Sequence, residues 1–137
     1  MDVTTVPVSS IRPSQCYLNA EKVAAVAERV AGATFDPGPL PVYAFEGEHY
    51  LTDGHTRAFV AYLTGRKRLR VTYDVNLAAD ASLPVYRECI EWCKREGVEA
   101  VPDLAGRVVG PETYHAEWIE PCHAIAARIE AAGASDR

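Results

Sequence analysis

Ten residues, Tyr50 to Phe59, restrict this chain more than any other stretch. His49-Tyr50-Leu51-Thr52 alternates as a half-buried strand does, and Ala58-Phe59-Val60-Ala61-Tyr62-Leu63 reads as the apolar face of a helix. Between them stand a carboxylate, a glycine, an imidazole, a hydroxyl and a guanidinium: Asp53, Gly54, His55, Thr56 and Arg57. A strand that stops at Asp-Gly and restarts as a helix aims free backbone N–H groups, and the positive end of the helix dipole, at one point. Such a point suits an anion, phosphate above all. Arg57 in the first turn has the wrong sign for the dipole, a cost of roughly a few tenths of a kcal/mol. A bound phosphate converts that cost into a bidentate contact.

The rest of the chain reads as one α+β unit with a helical extension. Val3 to Ile11, interrupted by Pro7, is a short edge strand at best. Asn19 caps a helix from Ala20 to about Ala31, which Gly32 ends. Leu40 to Phe45 and His49 to Thr52 form a hairpin around Glu46-Gly47-Glu48. The central helix runs from about Thr56 to Thr64 with Gly65 at its end, and Leu69 to Tyr73 supplies another strand. After Asp80 a helix starts at Ser82 or Pro84 and closes at Gly97, and one helical turn is expected at Pro102-Asp103-Leu104. Pro111 opens a last helix that Pro121 should break or restart. The expected division is a core over 1–79, a small mixed sheet with helices, and a helical extension over 80–137 packed on it.

At 137 residues the chain is long enough to bury a core. Its net charge of −5 is unevenly placed. Residues 1–79 carry eight acids and eight bases, whereas residues 80–137 carry eleven acids against six bases. An acidic last third argues against a broad polyanion-binding surface, so DNA is not the expected partner. The basic run Arg66-Lys67-Arg68 with Arg70 reads as a solvated turn or a local phosphate patch. No apolar run has the length of a membrane span and no signal peptide is legible, so a cytoplasmic location and reduced cysteines are expected. Cys89 and Cys93, four apart on one helix, suit core packing better than zinc, whose usual ligand spacings they do not match. Tyr86, Trp92, Tyr114 and Trp118 read as the faces that dock the extension.

Three segments together resemble the ParB/sulfiredoxin superfamily: Val6-Pro7-Val8-Ser9-Ser10-Ile11-Arg12-Pro13, the helix start Ala20-Glu21-Lys22-Val23, and Tyr50 to Arg57 followed by Ala61-Tyr62-Leu63-Thr64-Gly65. The resemblance covers roughly residues 5–75 and implies a nucleotide-binding fold. Sulfiredoxins carry a cysteine nucleophile between the glycine and the His-Arg of their motif. Here His55 takes that place, which argues against sulfiredoxin chemistry. Partition-type ParB proteins bind CTP and carry further DNA-binding and dimerisation domains, for which residues 80–137 are too short. The central turn is most similar to that of the free-serine kinases. Their catalytic glutamate follows the first strand, where this chain has Gln15, an amide that cannot act as a base.

These readings yield specific expectations. Asp53 holds Mg²⁺ on a nucleotide phosphate or accepts a hydroxyl proton, unless it only shapes the turn. His55 donates to phosphate or shuttles a proton. Gly54 gives the backbone its freedom, Thr56 caps the helix and touches phosphate, and Arg57 grips the anion. By the resemblance, Lys22 is a nucleotide-phosphate lysine, and Arg12 and Gln15 lie beside the nucleotide or the acceptor. The expected cofactors are ATP or ADP, with CTP as an alternative, and Mg²⁺. The expected activity is phosphoryl transfer to a small hydroxyl compound such as an amino acid, or nucleotide hydrolysis. A nucleotide sensor or interaction module without chemistry is the first rival reading, a DNA-associated partition-like or nuclease-like protein, supported only by the basic run at 66–70, is the second, and a homodimer is left open.

Overall fold

The computed structural model describes residues 3–32, 36–75, 77 and 82–135. Five strands form one mixed sheet: β1 (Val3–Pro7), β2 (Ile11–Arg12), β4 (Leu40–Phe45), β5 (Glu48–Leu51) and β6 (Arg68–Tyr73), in the order β1-β6-β4-β5-β2. β1 and β2 thus lie at opposite edges, yet only the 3₁₀ turn Val8–Ser10 separates them in the chain. Four residue steps reach about 14 Å at most, while four spacings across a flat sheet total about 19 Å. The sheet must therefore curl until its edges approach. The Val8 N–H, bonded to the Lys67 carbonyl at 2.9 Å, carries the β1–β6 ladder one residue into the 3₁₀ turn.

Turn chemistry sets the hairpin. Glu46 and Gly47 both have positive φ, 51° and 83°, as the twist-matched two-residue turn requires. β4 and β5 pair antiparallel with Phe45 opposite Glu48, so Glu48 belongs to the strand and not to the turn. β6 joins β4 in parallel after a crossover through α2 (His55–Leu63).

The helix α1 (Ala20–Gly32) starts as its sequence predicts: Asn19 Oδ1 accepts the Glu21 N–H at 2.9 Å. α3 (Leu83–Arg95) carries a proline in its first turn and ends ahead of Gly97, whose φ is +77°. The expected turn near Pro102 is longer, a 3₁₀ helix over Val101–Arg107. It leads into β7 (Val108–Val109), which pairs in parallel with β3 (Leu18–Asn19) and stitches the later residues to the first loop. The final helices are α4 (Pro111–Tyr114) and α5 (Glu120–Ser135), joined through a π-helical segment, His115–Ile119.

The α-helix restarts at Glu120, directly before Pro121, as expected, but without a break in the chain's helical course. A proline inside an α-helix lacks an N–H and its ring presses on the carbonyl one turn back. The wider π turn directly before it, in which the Glu120 N–H reaches back to the His115 carbonyl, lets the helix run through.

One apolar cluster joins sheet, helices and extension: Leu40, Leu51, Phe59, Leu69 and Val71 pack with Cys93, Val101, Leu104 and Trp118. Fully buried leucines such as Leu40, Leu51 and Leu104 each contribute roughly 2 kcal/mol by removal from water. A smaller cluster on the other sheet face seats Phe45 and Tyr50 against Leu77 and Ile90. The expected boundary between residues 79 and 80 falls outside the described residues. Among the described residues no helix is long and apolar enough to cross a membrane.

Candidate functional site

The site is built where β5 gives way to α2. Gly54 takes the N-cap position with φ +76°. A Cβ there would stand 2.8 Å from both Leu40 Cδ2 and Arg57 Nη2, so this turn accepts only glycine. Asp53 shapes the turn, its Oδ1 accepting the Gly54 N–H at 2.8 Å, and the rest of its carboxylate is exposed. The first bond of the helix runs from the Ala58 N–H to the Gly54 carbonyl. The N–H groups of His55, Thr56 and Arg57 are therefore the unpaired donors of the first turn. Thr56 was expected to be the N-cap; it is instead the second helical residue, because Gly54 already supplies the capping conformation.

These residues line a cavity of about 430 Å³ together with Gln15, Lys22, Ala25, Val26, Arg29 and Tyr114. Three cations (Lys22, Arg29, Arg57) and a single acid (Asp53) surround it. Arg57 Nη1 donates to the Pro37 carbonyl at 2.9 Å, which fixes the guanidinium beside the loop that precedes β4. No carboxylate pairs with it among the described residues. Lys22 and Arg29 are seven positions apart on α1, so they share the face that also carries Ala25 and Val26. Arg29 escaped the sequence reading, although its spacing from Lys22 was a usable signal. Tyr114 gave no such signal, since it arrives from 99 residues beyond Gln15.

His55 is buried and its ring is committed. The Ser14 N–H donates to Nε2 at 3.0 Å, which forces the proton of the neutral ring onto Nδ1. Burial lowers the pKa from 6.5 to about 4, with Asp53 opposing the shift only weakly. In this arrangement the basic nitrogen is occupied and the ring resists protonation, which weighs against a proton shuttle at His55. What remains is an N–H donor at Nδ1, without an acceptor among the described residues.

Gln15 lies at the inner wall. Its Nε2 donates to the Tyr17 carbonyl at 2.8 Å and to Tyr114 Oη at 3.0 Å. The Tyr114 hydroxyl is thus free to donate its own proton. Burial raises its pKa, so that proton stays on. Arg12, by contrast, is absent from this wall. It pairs with Glu48 at 3.4 Å and Glu99 at 3.7 Å, because its short edge strand sends it toward the hairpin and the connector.

The basic run is likewise engaged elsewhere: Arg70 pairs with Asp36 and Arg68 donates to the Thr5 carbonyl. Cys16, Cys89 and Cys93 are buried in the core with free thiols, and no cluster of three or more metal-ligating side chains exists among the described residues.

No family model matches the chain, and no curated protein matches it. Solved structures are similar over about half of it. Protein Atu1540 from Agrobacterium tumefaciens aligns at 16% identity and TM-score 0.47, over 53% of this chain and 38% of that one. SbnI with a C-terminal truncation, from Staphylococcus aureus, aligns at 21% identity and TM-score 0.47, over 52% and 30%. Sulfiredoxin from Arabidopsis thaliana aligns at 17% identity and TM-score 0.43, over 53% and 84%. The chain therefore spans about a third of the length of the first two.

Proposed function

We propose that this protein binds ATP or ADP at the cavity above α2 and transfers a phosphoryl group to a small hydroxyl compound, or to water. One observation carries the reading: three cationic side chains from two helices, and the unpaired N–H groups of a helix start, converge on one cavity. Phosphoryl transfer asks a protein mainly for positioning and charge stabilisation, which such a cavity supplies. Lys22, Arg29 and Arg57 hold the phosphates, and the first-turn N–H groups of α2 meet the oxygens nearest Gly54.

Mg²⁺ fits here only as a companion of the nucleotide. Among the described residues Asp53 is the sole carboxylate on the wall, and one of its oxygens already serves Gly54. Mg²⁺ is commonly held by one or two carboxylates plus phosphates, with the remaining positions filled by water. When bound it draws charge from the transferring group, and Asp53 Oδ2 is the protein oxygen available to it.

A second reading has its own support: nucleotide binding without turnover. Gln15 cannot take a proton, and the His55 lone pair is blocked by Ser14. Incubation with γ-labelled ATP, Mg²⁺ and a panel of hydroxyl compounds separates the two. Labelled product or released phosphate above the level of an Asp53→Ala control supports turnover. Tight binding with neither selects the sensor.

A further inference from the structure

Gln15 and His55 have cavity on both sides. Behind them lies a second space of about 250 Å³, lined by Ser14, Thr52, Val85, Tyr86, Cys89, Trp118 and Cys122 as well. α3, the π segment and α5 line its outer side and leave it partly open to solvent, so the extension builds this chamber and the core builds the wall it shares with the first. A group held here stands one residue's thickness from the cation-lined cavity.

The wall has no charge. Among the described residues it contains no Lys, Arg, Asp or Glu, and His55 is neutral. A carboxylate or ammonium group entering it would shed water and find no counter-charge, which is strongly unfavourable. Its polar groups are also biased. Ser14 Oγ donates to the Leu51 carbonyl at 2.6 Å, Thr52 Oγ1 to Asp74 Oδ2 at 2.8 Å, and Tyr86 Oη to the Thr52 carbonyl at 2.9 Å. Both Gln15 amide donations are spent as well. Beside the His55 Nδ1–H, what the wall still presents is mainly acceptors, above all Gln15 Oε1 and the lone pairs of Ser14 and Thr52. Val85 and the Trp118 ring, itself stacked on Trp92 at 4.8 Å, add apolar area.

We infer that this chamber is the acceptor subsite, and that it selects a neutral alcohol with an apolar body and rejects free amino acids. The inference rests on the nucleotide reading for its donor. In the transfer, the bond between the γ-phosphorus and the β,γ-bridging oxygen breaks, and a bond from that phosphorus to the alcohol oxygen forms. ADP leaves, and the hydroxyl proton passes to an oxygen of the transferred phosphoryl group, since among the described residues the chamber's own wall offers no carboxylate and the His55 lone pair is taken by Ser14. Gln15 Oε1 orients the hydroxyl without taking its proton.

Benzyl alcohol and L-serine serve as probes, with tryptophan emission as the readout, because Trp118 lines the chamber. Benzyl alcohol should change the emission saturably and L-serine should not. Cys122→Phe and, independently, Val85→Phe fill the space. Either should weaken the benzyl alcohol response at least tenfold while ADP affinity stays within twofold. Saturable L-serine binding, or a benzyl alcohol response indifferent to whichever filling variant folds, overturns the chamber's selectivity. If ADP does not bind the native protein while benzyl alcohol does, the nucleotide reading fails and takes the acceptor role with it.

Discussion

The backbone N–H of Ser14 donates to Nε2 of His55 across 41 residues at 3.0 Å. That bond ties the loop leaving β2 to the first residue of α2 and decides the ring's tautomer. It also makes the fold sensitive to acid. The unfolded imidazole titrates near 6.5 and the folded one near 4, so between these values the unfolded chain binds more protons. Stability from this group is complete above pH 6.5 and is lost as pH falls toward 4. The loss at pH 5 is about 2 kcal/mol. Urea unfolding at pH 7 and pH 5 should show this decrement in the native protein and not in His55→Asn, whose amide does not titrate.

Gly54→Ala should damage fold and site together. The new methyl meets Leu40 and the Arg57 guanidinium at 2.8 Å in a left-handed backbone conformation. A loss of about 1–3 kcal/mol is expected in denaturant unfolding. Any folded fraction should bind nucleotide more weakly, because Arg57 is displaced.

Arg29→Ala and Arg12→Ala form a contrasting pair. Arg29 is exposed at the cavity rim with no ion pair among the described residues, so its removal should leave stability within about 0.5 kcal/mol. Nucleotide affinity should fall about tenfold, the loss of one charged contact worth about 1.4 kcal/mol. Arg12 makes only partly exposed ion pairs with Glu48 and Glu99. Its replacement should cost about 0–1 kcal/mol and leave nucleotide affinity unchanged.

The thiols should separate by position. Cys16 and Cys93 are almost fully buried, and the hydrogen bond from Cys16, with burial, pushes the Cys93 thiol far up. Maleimide labelling of the folded protein, read by mass, should leave both untouched until global unfolding. Cys122 is half-buried, and its hydrogen bond with Cys89 lowers the Cys89 thiol while raising its own, so the first label should fall on the Cys89–Cys122 pair.

Local chemistry was legible in the sequence and long-range placement was not. The Asn19 cap, the strand-to-helix turn at Asp53-Gly54 and a hairpin turn at Glu46-Gly47, which the sequence reads one residue too long, announce themselves through residues next to one another. The β3–β7 pairing joins two-residue strands some ninety positions apart, too short for any periodic signal. The ion pair of Arg12 with Glu99 is invisible in the sequence for the same reason, since the two lie 87 positions apart. Pro121 signals an irregularity in the last helix, but the π turn that carries it has no sequence mark of its own. Lys22 and Arg57 were identifiable from helix position and charge, whereas Tyr114 and the inner chamber exist only once the extension has packed.

Calorimetric titration of the protein with Mg·ADP tests the central claim most directly, alongside Lys22→Ala and Arg57→Ala. The account expects one saturable site whose affinity falls with added salt, and about tenfold weaker binding in each variant. No saturable heat at millimolar nucleotide, or equal affinity in all three proteins, would contradict it.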